Sequence, residues 1–235
     1  MDAALRDAFE TTWPAAEYAV AGGFTVGRGR GGGGRVGSAR VTGAWTGDDI
    51  TAAIAIQRNW DQPPQFRVAE GDLLAEALAE RGLRRHTPTA ILAAPVSALT
   101  TASIPAVTTF TVWPPMAIQR EIWSAGNIGP TRQAVMDRAP TPKTSILGRT
   151  DDRAAGAAFV AVASGVVMVH AVEVVPGLRR KGLAGWMMRQ AAIWGADHGA
   201  DRIALAVSRG NTGAVALYER LGFQAAGGYA YWQAD

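Results

Sequence analysis

The strongest constraint on the fold is the alternation of strand and helix signals along residues 106–235. Runs rich in valine, isoleucine and threonine are typical of strands, and apolar residues at spacings of three and four are typical of helices. The predicted order is β-α-α-β-β-β-α-β-α-β, with strands at 106–113, 144–149, 156–163, 166–175, 202–207 and 227–233 and helices at 116–126, 130–138, 183–198 and 211–221. This order excludes a helical bundle and a β-sandwich and predicts an α/β (α+β) fold, a mixed β-sheet flanked by helices.

The first 105 residues predict a smaller and less regular α/β region. We expect a hairpin from Phe24–Arg28 and Arg35–Thr42, helices at 48–59 and 72–81, and strands at 65–69 and 89–95. ALAERGL at 77–83 is similar to ALYERLGF at 216–223, and each lies between two strands. We therefore predict two domains, 1–105 and 106–235, and leave open whether the first is a degenerate copy of the second or the similarity is chance.

Composition excludes several classes of function. The chain has no cysteine, which excludes disulfides, thiolate metal sites and a cysteine nucleophile. Its three histidines, His86, His170 and His198, lie far apart in sequence and predict no metal site. Its 23 basic and 20 acidic residues are dispersed, which argues against a dedicated nucleic-acid binder.

Two segments bear on membranes and localisation. Residues 154–175 are apolar over a length that could cross a bilayer, but Ser164-Gly165 marks a turn and His170 and Glu173 are costly in lipid. We interpret the segment as two strands. The N-terminal MDAALRDAFETTW lacks the apolar run of a signal peptide, so we expect a cytoplasmic protein without a membrane partner.

The run VEVVPGLRRKGLAGWMM, residues 172–188, predicts an anion site. A strand ends near Pro176, a basic turn follows, and Gly182 precedes a helix whose first turn has no acid. Free N–H groups at a helix N-terminus and the helix dipole both favour an anion, and glycine lets a ligand approach the backbone. An ordinary exposed turn between a strand and a helix is the alternative interpretation.

Two motifs resemble those of the GNAT superfamily of N-acyltransferases. The spacing V-x-P-x-x-R-x-x-G-x-A, formed by Val174, Pro176, Arg179, Gly182 and Ala184, resembles the acetyl-CoA signature of that family. NTGAVALYERLGF, residues 211–223, is similar to its second motif. The resemblance covers residues 106–235 and implies the same fold, with acetyl-CoA as co-substrate, no metal, and an acetyl group transferred to an amine on a small molecule or a protein N-terminus.

The resemblance also implies residue roles. Tyr218 would protonate the departing CoA thiolate, and Glu173 or a water molecule would take the amine proton. Trp123 would line an acceptor pocket. The implied cofactor-binding residues are Val172, Val174, Arg179, Arg180, Lys181, Gly182, Leu183, Ala184, Gly185 and Asn211.

Two other functions stay open at this point. The domain could be a CoA-binding module without transfer activity, or GRGRGGGGRVG at 27–37, with seven glycines and three arginines, could bind nucleic acid. We expect this run to be a hairpin connection, because strands flank it and no helix N-terminus is predicted directly after it. Whether the loop reaches the acceptor cleft or the partner subunit of a homodimer is left open.

Overall fold

The protein is described from a computed structural model that covers residues 1–234 and forms two compact units. The larger unit contains residues 1–13, 91–207 and 211–226, and the smaller contains 14–90, 208–210 and 227–234. In chain order the elements are α1 (Ala3–Thr11), β1 (Glu17–Ala21), β2 (Phe24–Arg28), α2 (Gly34–Gly37), β3 (Ala39–Val41), α3 (Gly47–Asn59), β4 (Gln65–Ala69), α4 (Leu74–Glu80), β5 (Arg84–Pro95), β6 (Thr109–Val112), α5 (Ala117–Ala125), α6 (Pro130–Arg138), β7 (Lys143–Thr150), β8 (Arg153–Ala163), β9 (Val166–Val174), α7 (Leu183–Asp197), β10 (Arg202–Ser208), α8 (Thr212–Arg220) and β11 (Gln224–Gln233).

The predicted order of elements in residues 106–235 is confirmed, and so is the mixed α/β fold. The first strand, β6, is shorter than predicted because the backbone turns before it: the Thr108 amide donates to the Pro105 carbonyl at 3.3 Å, and Val107 has a φ of 62°. The elements α1 and β1 had not been predicted. Both lie in the N-terminal segment, for which the sequence indicated only the lack of a signal peptide.

In the larger unit the strand order is β5-β10-β9-β8-β7-β6. Strands β6 to β9 pair antiparallel, whereas β9 and β10 are parallel. The apolar segment 154–175 forms β8 and β9, most of whose alanine and valine side chains are buried, so the interpretation as two strands is confirmed. Among residues 1–234 no helix has the length and apolar character needed to cross a membrane.

Helix α1 packs on β8 and β9 through Leu5 and Phe9, which are buried. Its cap is Asp2, whose carboxylate accepts a hydrogen bond from the Leu5 amide at 3.0 Å. The same carboxylate contacts the Arg202 guanidinium at 2.6 Å. These two contacts hold the pKa of Asp2 down to about 2, with the hydrogen bond from Arg202 as the larger cause.

Asp2→Asn is expected to weaken the dependence of stability on acid pH. The folded-state pKa of Asp2 lies below its unfolded value, so its contribution is present above about pH 4 and is lost as the pH falls towards 2. Asparagine still caps a helix, so the change removes mainly the charge. Unfolding followed by circular dichroism between pH 2 and 5 measures the effect. Asp201→Asn, which removes the more distant carboxylate at 3.8 Å from Arg202, is the control and should alter the transition less.

The smaller unit has the strand order β1-β2-β3-β4-β11. Alternate residues of its strands point into one apolar core that α3 and α4 cover. Phe24, Val26, Phe66, Ile50 and Leu78 are among its buried side chains. The hairpin predicted from this region is confirmed, since β2 and β3 pair antiparallel, but its second strand begins at Ala39 and not at Arg35.

The glycine-rich run 27–37 connects β2 and β3. Strands flank the run as expected, since β3 follows it, but its last four residues form the short helix α2, which had not been predicted. Two of its three arginines, Arg28 and Arg30, form ion pairs with Glu17. A side chain at Gly27 would lie 2.4 Å from a backbone oxygen. Close packing therefore accounts for Gly27, and the ion pairs account for two of the arginines.

Candidate active site

The ladder between β9 and β10 opens partway along the two strands. Pairing joins Val166–Val169 to Arg202–Leu205 and stops there, although β9 continues to Val174 and β10 to Ser208. Within residues 1–234, the backbone groups of β9 beyond Val169 are therefore not bonded to the neighbouring parallel strand. Such groups can bind an extended ligand as an additional strand would.

Strand β9 also carries a bulge at this point. Ala157 of β8 faces Glu173 and Phe159 faces His170. A spacing of three residues on β9 therefore lies opposite a spacing of two residues on β8. Ala171 lies inside the bulge with a φ of 52°, a left-handed conformation that is unusual for alanine. The bulge changes the direction of the Val172 and Glu173 backbone relative to a regular strand.

The loop after β9 leads into an uncapped helix N-terminus. A 3₁₀ turn at Pro176–Leu178 follows the strand, and Gly182 precedes α7 with a φ of 81°. In the described part of the chain no side chain caps α7, and its first turn has no acidic residue. The amides of Leu183, Ala184 and Gly185 therefore keep their hydrogens available, as a bound phosphate requires. The loop residues that the sequence predicted as an anion site are thus brought together at one helix end.

Two of the three loop cations are engaged in ion pairs. The Arg179 guanidinium contacts the Glu173 carboxylate at 2.9 Å and donates from Nε to the Val174 carbonyl at 2.9 Å. Lys181 pairs with Asp151 at the surface. In this arrangement Arg179 ties the loop back to the end of β9 instead of pointing to a phosphate. The sequence pattern contains no signal for this pairing, because the two residues are six positions apart in a non-helical segment.

Glu173 sits between two neighbours. On one side is Arg179, and on the other is Gly126 at the C-terminal end of α5, where an added Cβ would lie 2.5 Å from the Glu173 carboxyl carbon. The Glu173 side chain is 14% exposed, so the carboxylate still reaches solvent. The Glu173 carboxylate is therefore held in an ion pair and is confined on its other side by the α5 end.

Helix α8 contributes Asn211 and Tyr218. Asn211 caps the helix, because its Oδ1 accepts from the Ala214 amide at 3.2 Å, and its amide nitrogen keeps two donor hydrogens. Tyr218 is buried with its ring 5.7 Å from that of Phe223. Burial raises the pKa of Tyr218 to about 12, so its hydroxyl is protonated throughout the neutral range.

Trp123 does not line an acceptor pocket, contrary to what the resemblance had implied. Its side chain is fully buried, so it lines no open pocket, and its Nε1 donates to the Ala171 carbonyl at 2.8 Å. His170 is a buried strand histidine whose Nε2 shares a 2.9 Å hydrogen bond with Thr12 Oγ1. His198 ends α7, with Nδ1 2.7 Å from the Trp194 carbonyl.

An open pocket of about 280 Å³ lies beside the α7 N-terminus. Lys181, Leu183 and Trp186 form one side of it, and the turn at 149–152 and residues 106–108 form the rest. The Trp186 Nε1 is 3.9 Å from the position that a Cβ on Gly182 would occupy. The Trp186 indole and the Lys181 ammonium therefore lie next to the candidate anion site.

Comparison with known proteins matches part of the chain to a family. Residues 113–223 match the model of the Acetyltransferase (GNAT) family. This part of the chain is a GNAT-family domain, and it contains β9, the basic loop, α7 and α8. Among curated proteins, none matches the sequence.

Solved structures share the fold over most of the chain. A GCN5-related N-acetyltransferase from Kribbella flavida superposes with a TM-score of 0.69 at 20% identity, over 94% of this chain and 90% of that one. A conserved protein of unknown function from Staphylococcus epidermidis ATCC 12228 superposes with a TM-score of 0.67 at 12% identity, over 89% of each chain. A tandem GNAT protein from the clavulanic acid biosynthesis pathway superposes with a TM-score of 0.61 at 13% identity, over 90% of this chain and 77% of that one. The chain therefore has the GNAT fold.

Proposed function

We propose that the protein is an acetyl-CoA-dependent N-acetyltransferase that acts by direct attack of an amine on the thioester. The observation that carries this proposal is the uncapped N-terminus of α7 placed at the end of β9, where the β9–β10 ladder has already opened. An anion site next to free strand edges fits a long ligand with phosphates at one end. Acetyl-CoA has this form, and the family of residues 113–223 supports acyl transfer.

The loop would hold the pyrophosphate of the cofactor. The amides of the first turn of α7 donate hydrogen bonds, and the helix dipole adds about half a positive charge. Gly182 at φ 81° brings the backbone close to the ligand without a side chain in between. Arg180 and Lys181 add positive charge on the same loop, and Asn211 would donate its amide hydrogens towards the pantetheine arm.

The open edge of β9 would bind the pantetheine arm and the acetyl carbonyl. Within the described residues, the backbone groups of Val172 and the N–H of Val174 face no partner on β10, so they can pair with the amide groups of the arm. A backbone N–H at the bulge would stabilise the oxygen that becomes negative as the amine attacks. Positioning and such an oxyanion donor are the main requirements of a reaction without a covalent enzyme intermediate.

Each bond change then has a group assigned to it. The amine nitrogen attacks the acetyl carbon, a C–N bond forms, and the C–S bond breaks to release the CoA thiolate. The amine loses a proton to Glu173 or to a water molecule, and the Tyr218 hydroxyl donates to sulfur. The acceptor is an amine on a small molecule or at a protein N-terminus, and a cytoplasmic location would supply acetyl-CoA.

Titration with acetyl-CoA tests the proposal by thermal shift and by thiol release. At a hundredfold excess over its Kd, the ligand should add about 2.7 kcal/mol to the free energy of unfolding. Thiol release should then depend on an amine drawn from a panel of small amines and peptide N-termini. An absence of any shift at millimolar acetyl-CoA would contradict the proposal. A shift without amine-dependent thiol release from any acceptor would favour a CoA-binding module, in which the Arg179–Glu173 pair is purely structural.

A further inference from the structure

We propose that the last turn of helix α5 positions the reacting segment of β9, with Trp123 and Gly126 as positioning residues. Trp123 would hold the bulge, and Gly126 would set the place of the Glu173 carboxylate. The inference rests on the proposed function of β9 and adds two residues to which neither motif extends. Both were interpreted differently from sequence, Trp123 as a pocket residue and Gly126 as a simple helix end.

The bulge of β9 needs support from a neighbour. Its Ala171 has a φ of 52°, a left-handed conformation that is unfavourable for alanine relative to the right-handed region. A bulge also leaves backbone groups outside the ladder, and a buried carbonyl without a donor is unfavourable. The conformation persists only where the surroundings favour it.

Trp123 supplies that support. Its indole Nε1 donates to the Ala171 carbonyl at 2.8 Å, and the ring is fully buried. The contact joins residues 48 positions apart, so it fixes β9 relative to α5. Tryptophan can make it because its rigid ring carries one donor and no acceptor. The direction of the Val172 N–H, immediately after Ala171, therefore depends on this hydrogen bond.

Gly126 acts on the side chain of Glu173. A Cβ at position 126 would lie 2.5 Å from Cδ and Oε2 and 2.6 Å from Cγ of Glu173. The backbone of Gly126 has a φ of −91°, which any residue can adopt, so conformational freedom does not explain the glycine. The space does. Only a residue without a side chain leaves the carboxylate in contact with Arg179 and still partly open to solvent.

The variant Gly126→Ala tests the role of Gly126 in placing the Glu173 carboxylate. The added methyl should push the flexible end of Glu173 aside and leave the backbone in place. We expect kcat to fall on the order of 100-fold, the loss typical of a reacting group displaced by about 1 Å, with the Kd of acetyl-CoA nearly unchanged. Gly129→Ala is the matched control: it lies in the same α5–α6 connection, and no atom of the described chain is within 4 Å of its Cβ. Equal kcat values for the two variants would overturn the role of Gly126.

The variant Trp123→Phe, alone and combined with Ala171→Gly, tests the role of Trp123. The single change Trp123→Phe keeps an aromatic ring and removes the donor, so amide hydrogen exchange at residues 171–173 should become at least about tenfold faster and kcat should fall. Ala171→Gly in that background removes the cost of the left-handed conformation and should restore slow exchange and part of kcat. A defect of packing alone would not be rescued by a glycine on the neighbouring strand. Unchanged exchange in Trp123→Phe, or no rescue, would overturn the role of Trp123.

These outcomes are separable from a failure of the proposed function. If the wild-type protein shows no stabilisation by acetyl-CoA, the proposed function fails, while the exchange rates at 171–173 still decide whether Trp123 holds the bulge. If the wild type binds acetyl-CoA and releases thiol but Gly126→Ala and Trp123→Phe behave as wild type, the function stands and the positioning role fails.

Discussion

Gly182→Asp is expected to weaken acetyl-CoA binding strongly without unfolding the protein. Aspartate places a carboxylate beside the free amides of α7 that the pyrophosphate otherwise needs, and the helix dipole favours a negative charge there. It would also repel the phosphates by about 4 kcal/mol at 4 Å near a protein surface. Together these effects should raise the Kd by roughly two to three orders of magnitude. Isothermal titration with acetyl-CoA measures the loss, and the melting temperature without ligand should fall only by the modest cost of an aspartate at positive φ.

The other end of the same helix provides the control. Gly199 has a φ of 80°, against 81° for Gly182, and no described atom lies within 4 Å of its Cβ. Gly199→Asp therefore introduces the same side chain with a similar backbone cost, and the 15 residues of α7 separate it from the loop. We expect it to bind acetyl-CoA as the wild type does. Equal affinities of the two aspartate variants would show that the α7 N-terminus is not the phosphate site.

Tyr218→Phe is expected to lower kcat on the order of 100-fold with little change in the Kd of acetyl-CoA. General acids contribute about 10²–10⁴ to a rate, and we expect the low end of that range here. The reason is the pKa of Tyr218, which burial raises to about 12. A thiol has a pKa of about 8.5, so complete transfer of the tyrosine proton to the thiolate is uphill. The hydroxyl would act mainly by hydrogen bonding to the sulfur as negative charge develops.

The pH dependence follows from the same pKa. Tyr218 stays protonated up to about pH 11, so its ionisation should not limit kcat between about pH 6 and 10. Stability behaves differently. A folded pKa of about 12 against about 10 in the unfolded chain contributes fully below pH 10 and is lost between pH 10 and 12, roughly 3 kcal/mol at most. Tyr218→Phe should remove this part of the alkaline destabilisation, while the part due to buried Tyr231, whose pKa burial also raises, remains.

Rates in stopped assays and unfolding curves at about pH 8 to 12 measure the two effects separately. A phenylalanine at this position cannot donate to sulfur, so a kcat equal to that of the wild type would remove Tyr218 from the reaction. An alkaline limb in kcat below about pH 10 that disappears in the variant would instead mean that the hydroxyl ionises far more easily than its burial allows.

Local patterns predicted most of the fold because they depend on neighbours in sequence. Strand β4 at 65–69 and helix α6 at 130–138 have the bounds that were predicted, since a β-rich run and a proline at the first helical position are local signals. The short helix α2 inside the glycine-rich run was not predicted, because it depends on contacts with Gln62 and β2 as well as on its own residues. Helix α1 was missed because its apolar face is short and is stabilised by packing on β8 and β9.

The candidate site likewise combines features that local sequence predicts with features that only the tertiary structure shows. Sequence alone determined the basic loop, the glycine at the start of α7 and the spacing of the α8 motif, because each is set by a few consecutive residues that must form a turn, an uncapped helix end or a helix cap. Only the tertiary structure decided that Arg179 pairs with Glu173, that the β9–β10 ladder stops at Val169, and that Trp123 and Gly126 contact the reacting segment of β9. These are contacts between side chains and backbone groups brought together by the sheet, and their geometry depends on distances that no local pattern encodes.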